Sequence, residues 1–245
     1  MKIDHHSPSS LNLFCVSPAL YVLQKFYGES TPVGAAAHRG TAVERGLAHA
    51  LAHPDADMKA CVDLAAEKYV SITGLCTDPK LEKMQANIPV MVEMATKELR
   101  KQPGTEGKPE AQGKIIWHPE ELQYPIHGYY DFHWPDANLT IDLKTSDKMP
   151  GAVNISHARQ VSFYAGGGNA GARITYVTPR EAKTYLVENV DFHRQALANL
   201  AKCVENFISL TDDREKLLKM TTPNLEHYYW SSGVARALAY KYWRV

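Results

Sequence analysis

The sequence predicts a mixed α/β domain with a small mixed central sheet flanked by helices and preceded by a helical N-terminal region. Three observations carry this. Residues 55–71 and 78–101 repeat apolar residues at helical spacing. Residues 128–145 read as two short strands joined at Pro135-Asp136-Ala137-Asn138. A helix around 160–165, strands at 173–178 and 183–187, and a helix opening at Asp191 then follow. No internal repeat is visible, and 245 residues suffice for one large domain. We expect a single domain over 1–245: a helical part at 1–101, a sheet core at 114–188 and C-terminal helices at 189–245.

Taken in order, Ser7-Pro8-Ser9-Ser10 offers caps ahead of Leu11, Leu13 and Phe14. A second helix starts with Ser17 as N-cap and Pro18 at the first helical position, and runs to Gly28. The next helix, 34–51, is rich in small residues and contains Gly40 and Gly46. Both cost helix stability, which is tolerable where another segment must approach closely. In 55–71 the apolar stripe includes Cys61, Leu64 and Tyr69; in 78–101 Pro89 should kink or divide the helix. Residues 102–113, with Pro103-Gly104, Gly107 and Pro109, read as a flexible loop.

The stretch 128–145 is the centre of the reading. In a strand alternate side chains share a face, so Leu139, Ile141 and Leu143 point one way and Thr140, Asp142 and Lys144 the other. If the turn closes a simple hairpin, Trp134 pairs with Leu139 and Asp131 stands directly opposite Asp142. Opposed like charges are unfavourable in a sheet. Two carboxylates so placed, with an ammonium two residues along, suggest a divalent cation between them. On the hairpin alone, an ordinary polar outer strand face is the competing reading. His133 shares the strand face of Asp131 and is a further candidate there.

Past Lys144, a loop holds Lys148, Met149, Pro150 and Gly151. Gln160 and Tyr164 then lie four apart on one helical face, either packed on the sheet or serving the site. The C-terminal aromatics, Tyr228-Tyr229-Trp230 and Tyr240 to Trp243, read as core more than as base-stacking platforms.

Lys plus Arg (27) balances Asp plus Glu (27), so an anionic ligand must be attracted by local patches. Arg39, Arg45, Lys148, Arg159 and Arg173 would line a phosphate track if the fold gathers them on one rim. Cys15, Cys61, Cys76 and Cys203 form no CxxC pair, which argues against a zinc site or disulfide framework and for buried free thiols. The first residues lack a signal-peptide core and no apolar run reaches a membrane span, so a cytoplasmic protein without a membrane partner is expected.

Asp131, then Asp142-Leu143-Lys144, then Gln160 and Tyr164 as a QxxxY pattern resemble the PD-(D/E)XK nuclease superfamily, particularly its RecB-like and phage exonuclease branches. Arg39-Gly40-Thr41-Ala42-Val43-Glu44 is similar to that group's first motif, and residues 9–20 to the segment often preceding it. The match runs from about residue 9 to residue 187. The resemblance implies a restriction-endonuclease-like core and a metal centre. Glu44, Asp131 and Asp142 would ligate Mg²⁺ or Mn²⁺, with the backbone carbonyl of Leu143 completing the shell. Lys144 would orient or help deprotonate the attacking water, and Gln160 and Tyr164 would position substrate or support the site. RecB-like members often carry His where Glu44 stands, and Glu is commoner than Asp before the Lys. Iron–sulfur members use one N-terminal and three C-terminal cysteines, a pattern absent here, so no cluster is expected.

Three function classes follow from the resemblance. The first is a divalent-metal-dependent exonuclease on linear DNA in phage or bacterial recombination and repair. The second is a structure-specific endonuclease with the same centre, and the third a catalytically silent DNA-binding module. DNA is the implied partner, with a single-strand annealing or recombination protein as a second candidate. Ring-forming relatives make self-association compatible with the family.

Overall fold

The computed structural model describes residues 3–245. Its helices and strands are α1 (Pro8–Val16), α2 (Pro18–Phe26), α3 (Ala35–Ala52), α4 (Met58–Thr73), α5 (Leu81–Ala86), α6 (Ile88–Arg100), β1 (Glu110–Ala111), β2 (Lys114–Trp117), β3 (Ile126–Tyr129), β4 (Phe132–Trp134), β5 (Leu139–Thr145), α7 (Ile155–Ala165), β6 (Gly171–Val177), β7 (Ala182–Leu186), α8 (Val190–Ile208), α9 (Arg214–Lys219) and α10 (Gly233–Trp243). The protein is mixed α/β, with a five-stranded sheet in the order β1-β4-β5-β6-β7. Only β5 and β6 run parallel, joined through α7; the other neighbours are antiparallel.

The chain forms two compact units. One comprises residues 1–32, 116–128 and 195–245; the other comprises 33–115 and 129–194. The boundaries expected at 101 and 188 do not follow this division, because the N-terminal helices divide after Pro32. In the first unit Ser17 caps α2 as expected, and its Oγ also accepts the indole N–H of buried Trp230 at 3.1 Å. The C-terminal aromatics are mixed: Trp230 is core, whereas Tyr228 and Tyr240 are exposed. The thiols are free, but Cys15 and Cys203 are exposed and only Cys61 is fully buried, which corrects the expectation of four buried thiols.

In the second unit, one core joins α3, α4 and α6 to Leu139, Ile141 and Leu143 of β5. Pro89 sits in the first turn of α6, where its missing N–H costs no helical bond, and the expected long helix is divided at Asn87. Gly46 explains itself by contact. A Cβ there would lie 2.7 Å from the Cys61 carbonyl oxygen and 3.0 Å from the Ala65 Cβ, so a side chain would force α3 and α4 apart. Gly46→Ala is expected to cost about 1–3 kcal/mol, read as a lower midpoint in chemical denaturation; an unchanged midpoint would show that the helices have slack.

Two expectations about the sheet are corrected. The strand leading to the turn is not continuous: β3 pairs with β2 in a separate two-stranded sheet, and the chain breaks at Tyr130 and Asp131 before β4. Residues 102–113 are not all loop, because Glu110 and Ala111 pair with His133 and Phe132 as an edge strand. Two residues carry too little periodicity to be read as a strand.

Candidate metal centre

The alternation of β5 places the centre. Leu139, Ile141 and Leu143 are buried in the α3/α4/α6 core. The opposite face carries Thr140, Asp142 and Lys144, level with Ala172, Ile174 and Tyr176 of β6, against which α7 packs through Ala158 and Val161. This face is therefore covered rather than solvated: Asp142 is 0% exposed. Lys144 Nζ lies 2.7 Å from Asp142 Oδ2 as an ion pair, without the alignment of a hydrogen bond, and Asp142 Oδ1 has no hydrogen-bond partner.

Asp131 arrives from the other side of β5. Trp134 pairs with Leu139 as the turn predicts, and the ladder ends at Phe132 opposite Ile141. One further step would set Asp131 against Asp142, but the chain bends there. Asp131 Oδ2 instead accepts the Leu143 N–H at 2.7 Å, standing in for the strand that has ended. The N–H and C=O of one strand residue emerge on the same edge, so the Leu143 carbonyl faces the Asp131 side as well.

Glu44 comes from α3. The helix crosses close to the end of β5 at Gly40, where a Cβ would meet Thr145 Oγ1 at 3.1 Å. One turn later Glu44 Oε1 accepts a hydrogen bond from the side-chain amide of Gln112. Gln112 also donates its backbone N–H to the Asp131 carbonyl at 3.2 Å.

From α7, Gln160 Nε2 donates to Tyr164 Oη at 2.9 Å, so the QxxxY pair is one unit. The Tyr164 hydroxyl is pushed up to about 12, by burial first and then by the charges of Asp142 and Asp131, against the Gln160 hydrogen bond and the Lys144 charge. His157, a turn earlier, makes a 2.8 Å hydrogen bond to Tyr176 Oη, which also accepts the Asn154 N–H. Burial and the Lys144 charge push His157 down to about 4, so it is neutral at pH 7.

The electrostatics are short of positive charge. Burial and the Asp142 carboxylate push Glu44 up to about 7. Burial, Asp142 and Glu44 push Asp131 well above the usual carboxylate range. Burial alone would lower Lys144, but Asp142 and Asp131 outweigh it and raise its pKa. Three carboxyl groups thus share one ammonium, and a buried carboxylate without a full partner is costly.

The residues fit a hard divalent cation on this ground. The donors are all oxygen, which suits Mg²⁺ or Mn²⁺, and an orphaned Oδ1 on a buried aspartate needs a positive partner. Among the described residues no three His, Cys, Asp or Glu side chains form a ready-made cage. Mg²⁺ asks for less: it keeps several waters and takes one or two carboxylates plus substrate phosphate.

All six side chains expected at the site lie in the second unit. Other expectations separate from it. Arg39 is buried and bonds to Asp147 Oδ1 at 2.7 Å, and Arg173 donates to the Pro103 carbonyl at 2.6 Å. Arg39 thus holds the fold instead of lining a phosphate track, Arg173 is half-buried, and Arg45 and Lys148 remain exposed. His133 is tied to Thr140 Oγ1 at 3.0 Å across the β4–β5 pair. Gln112, His157 and Tyr176 were missed. Gln112 lies in a segment without periodicity, and the other two carry no motif, although 157, 160 and 164 do fall on one helical face.

Among the described residues no helix is long and apolar enough to cross a membrane. No protein-family model and no curated protein matches the chain. Among solved structures, the crystal structure of SSO0001 matches at 17% sequence identity with a TM-score of 0.34, covering 68% of this chain and 85% of that one.

Proposed function

We propose that this chain is a divalent-metal-dependent DNA nuclease built on a restriction-endonuclease-like core, acting as an exonuclease on linear DNA in recombination or repair. The observation that carries the proposal is the Asp142–Lys144 pair on a covered sheet face, with Asp131 and Glu44 converging on it from separate elements and too little positive charge among them. The mixed sheet supports it: β5 bears Asp142, Asp131 stands just before its antiparallel neighbour β4, and α7 leads into a parallel β6.

In this reading Mg²⁺ or Mn²⁺, when bound, neutralises phosphate charge and supplies a nucleophile near neutral pH. Asp142 and Asp131 would hold the cation, with Glu44 and the Leu143 carbonyl as the remaining protein oxygens. Asp131 has a second task, because its Oδ2 holds the Leu143 N–H and thereby fixes the strand edge that presents that carbonyl. Without metal, Asp142 and Asp131 favour the protonated form of Lys144, and in this reading the ammonium serves as an electrostatic clamp on the pentacovalent phosphate. The Tyr164 hydroxyl stays protonated at neutral pH and, with Gln160, orients substrate on the α7 side.

The test is incubation of the purified protein with end-labelled linear duplex and covalently closed circular DNA, each with Mg²⁺ or EDTA. The expected result is loss of linear duplex in Mg²⁺, intact circles and no turnover in EDTA. Nicked circles would favour the structure-specific endonuclease. Salt-sensitive binding with no turnover in Mg²⁺ or Mn²⁺ would leave a DNA-binding module.

A further inference from the structure

Gln112 occupies a backbone conformation that its side chain does not favour. Its φ is +57°, in the left-handed region that costs a residue with a Cβ roughly 1–2 kcal/mol. Glycine is the residue that adopts it freely, and Gly113 is the very next position. A non-glycine residue kept there points to a task for the side chain.

The surroundings show why the backbone cannot relax. The Gln112 N–H donates to the Asp131 carbonyl at 3.2 Å, and the Tyr130 N–H donates to the Gly113 carbonyl at 3.1 Å. Gly113 lies directly against the Tyr130 ring, where a Cβ would overlap the phenol at 2.0 Å. The Tyr130 hydroxyl in turn donates to Glu110 Oε2 at 2.7 Å. The turn at 112–113 is therefore fastened to the segment that carries Asp131. From that platform the Gln112 amide reaches Glu44 Oε1 on α3.

One residue thus touches two of the three acids, through its backbone to Asp131 and through its side chain to Glu44. We infer that Gln112 positions the Glu44 carboxylate for the cation, tying α3 to the Asp131 bend so that both acids face one point. The inference rests on the nuclease reading and deepens it. An amide donor on Oε1 leaves Oε2 for the cation and restricts carboxylate rotation. A hydrogen-bond partner of a ligand commonly sets metal affinity by 10–100-fold.

The strain supplies a clean test. Gln112→Gly keeps the backbone N–H to Asp131, suits the left-handed conformation and removes only the amide that holds Glu44. Metal-free wild type, Gln112→Gly and Gln112→Asn would be titrated with Mn²⁺ by calorimetry and melted in EDTA. The expected result is Mn²⁺ binding about tenfold weaker in Gln112→Gly, with a thermal midpoint in EDTA no lower than wild type. Gln112→Asn, which tolerates the conformation and keeps an amide, should recover part of the affinity. Equal Mn²⁺ affinity in wild type and Gln112→Gly overturns the inference alone. A lowered midpoint together with weaker binding overturns it too, by making Gln112 a structural tie. Wild type that binds no Mn²⁺ overturns the nuclease reading, and this inference with it.

Discussion

Lys144→Ala and Asp142→Asn are each expected to lower divalent-dependent cleavage of linear duplex by about a thousandfold or more, the scale of losing a preorganised charge at a reacting phosphate. Their stabilities should then diverge, which separates chemistry from folding. Asp142 is fully buried, and Lys144 is the cation at 2.7 Å from it. Removing the ammonium leaves a buried carboxylate without its partner, a change worth ~3–5 kcal/mol, so metal-free Lys144→Ala should melt well below wild type. Asp142→Asn instead removes one of three mutually repelling acids and leaves Lys144 with Asp131, so its metal-free midpoint should be no lower than wild type. A folded Asp142→Asn protein with undiminished cleavage would sink the assignment of this face as the reacting one. The two variants together exclude the reading in which activity is lost only because the sheet fails to form.

The parts of this centre that were legible in the sequence are those set by local periodicity. Strand alternation put Asp142 and Lys144 on one face, and the four-residue turn fixed Trp134 opposite Leu139, as the ladder confirms. The spacing of Gln160 and Tyr164 put them on one side of α7, where they hydrogen-bond. What stayed hidden was set by contacts distant in sequence. Alternation says which residues share a face but not what covers it, and so the Asp142 face reads as polar and exposed until α7 is seen packed on the same side of β6. Arg39 looks like a surface cation until it is found buried beside Asp147, more than a hundred residues on. The count that opposes Asp131 to Asp142 holds only as far as Phe132 opposite Ile141, because the backbone leaves the ladder before Asp131 can pair. That departure frees the Asp131 side chain to take the Leu143 N–H. Gln112 was the least legible of all, because its role depends on the fold of a segment that sequence offers only as Pro-rich and Gly-rich.

Glu44→Gln is expected to make the metal-free protein more stable at pH 8 by on the order of 3 kcal/mol, and to leave it unchanged near pH 4. The sign follows from linkage. The Glu44 pKa is raised to about 7 in the folded protein from 4.5, so between those values the native state holds a proton that the unfolded chain has released, and stability falls as pH rises. Wild-type melting curves alone would obscure this. His157 and His6 have lowered folded pKa values and slope the other way, losing stability as pH falls below their unfolded value of 6.5. The difference between wild type and Glu44→Gln at each pH removes the histidine contributions and leaves the linked titration of Glu44 and Asp131, which Glu44 helps to raise. Its dependence on Mg²⁺ then decides between two accounts of the same cluster. If the acids are merely neutralised by protons, Mg²⁺ changes nothing and the gap at pH 8 persists. If they exist to hold a cation, saturating Mg²⁺ stabilises wild type by mass action and closes the gap, while Glu44→Gln gains less. A gap at pH 8 that is indifferent to Mg²⁺ and Mn²⁺ would reduce Glu44 to a buried acid with no ligand.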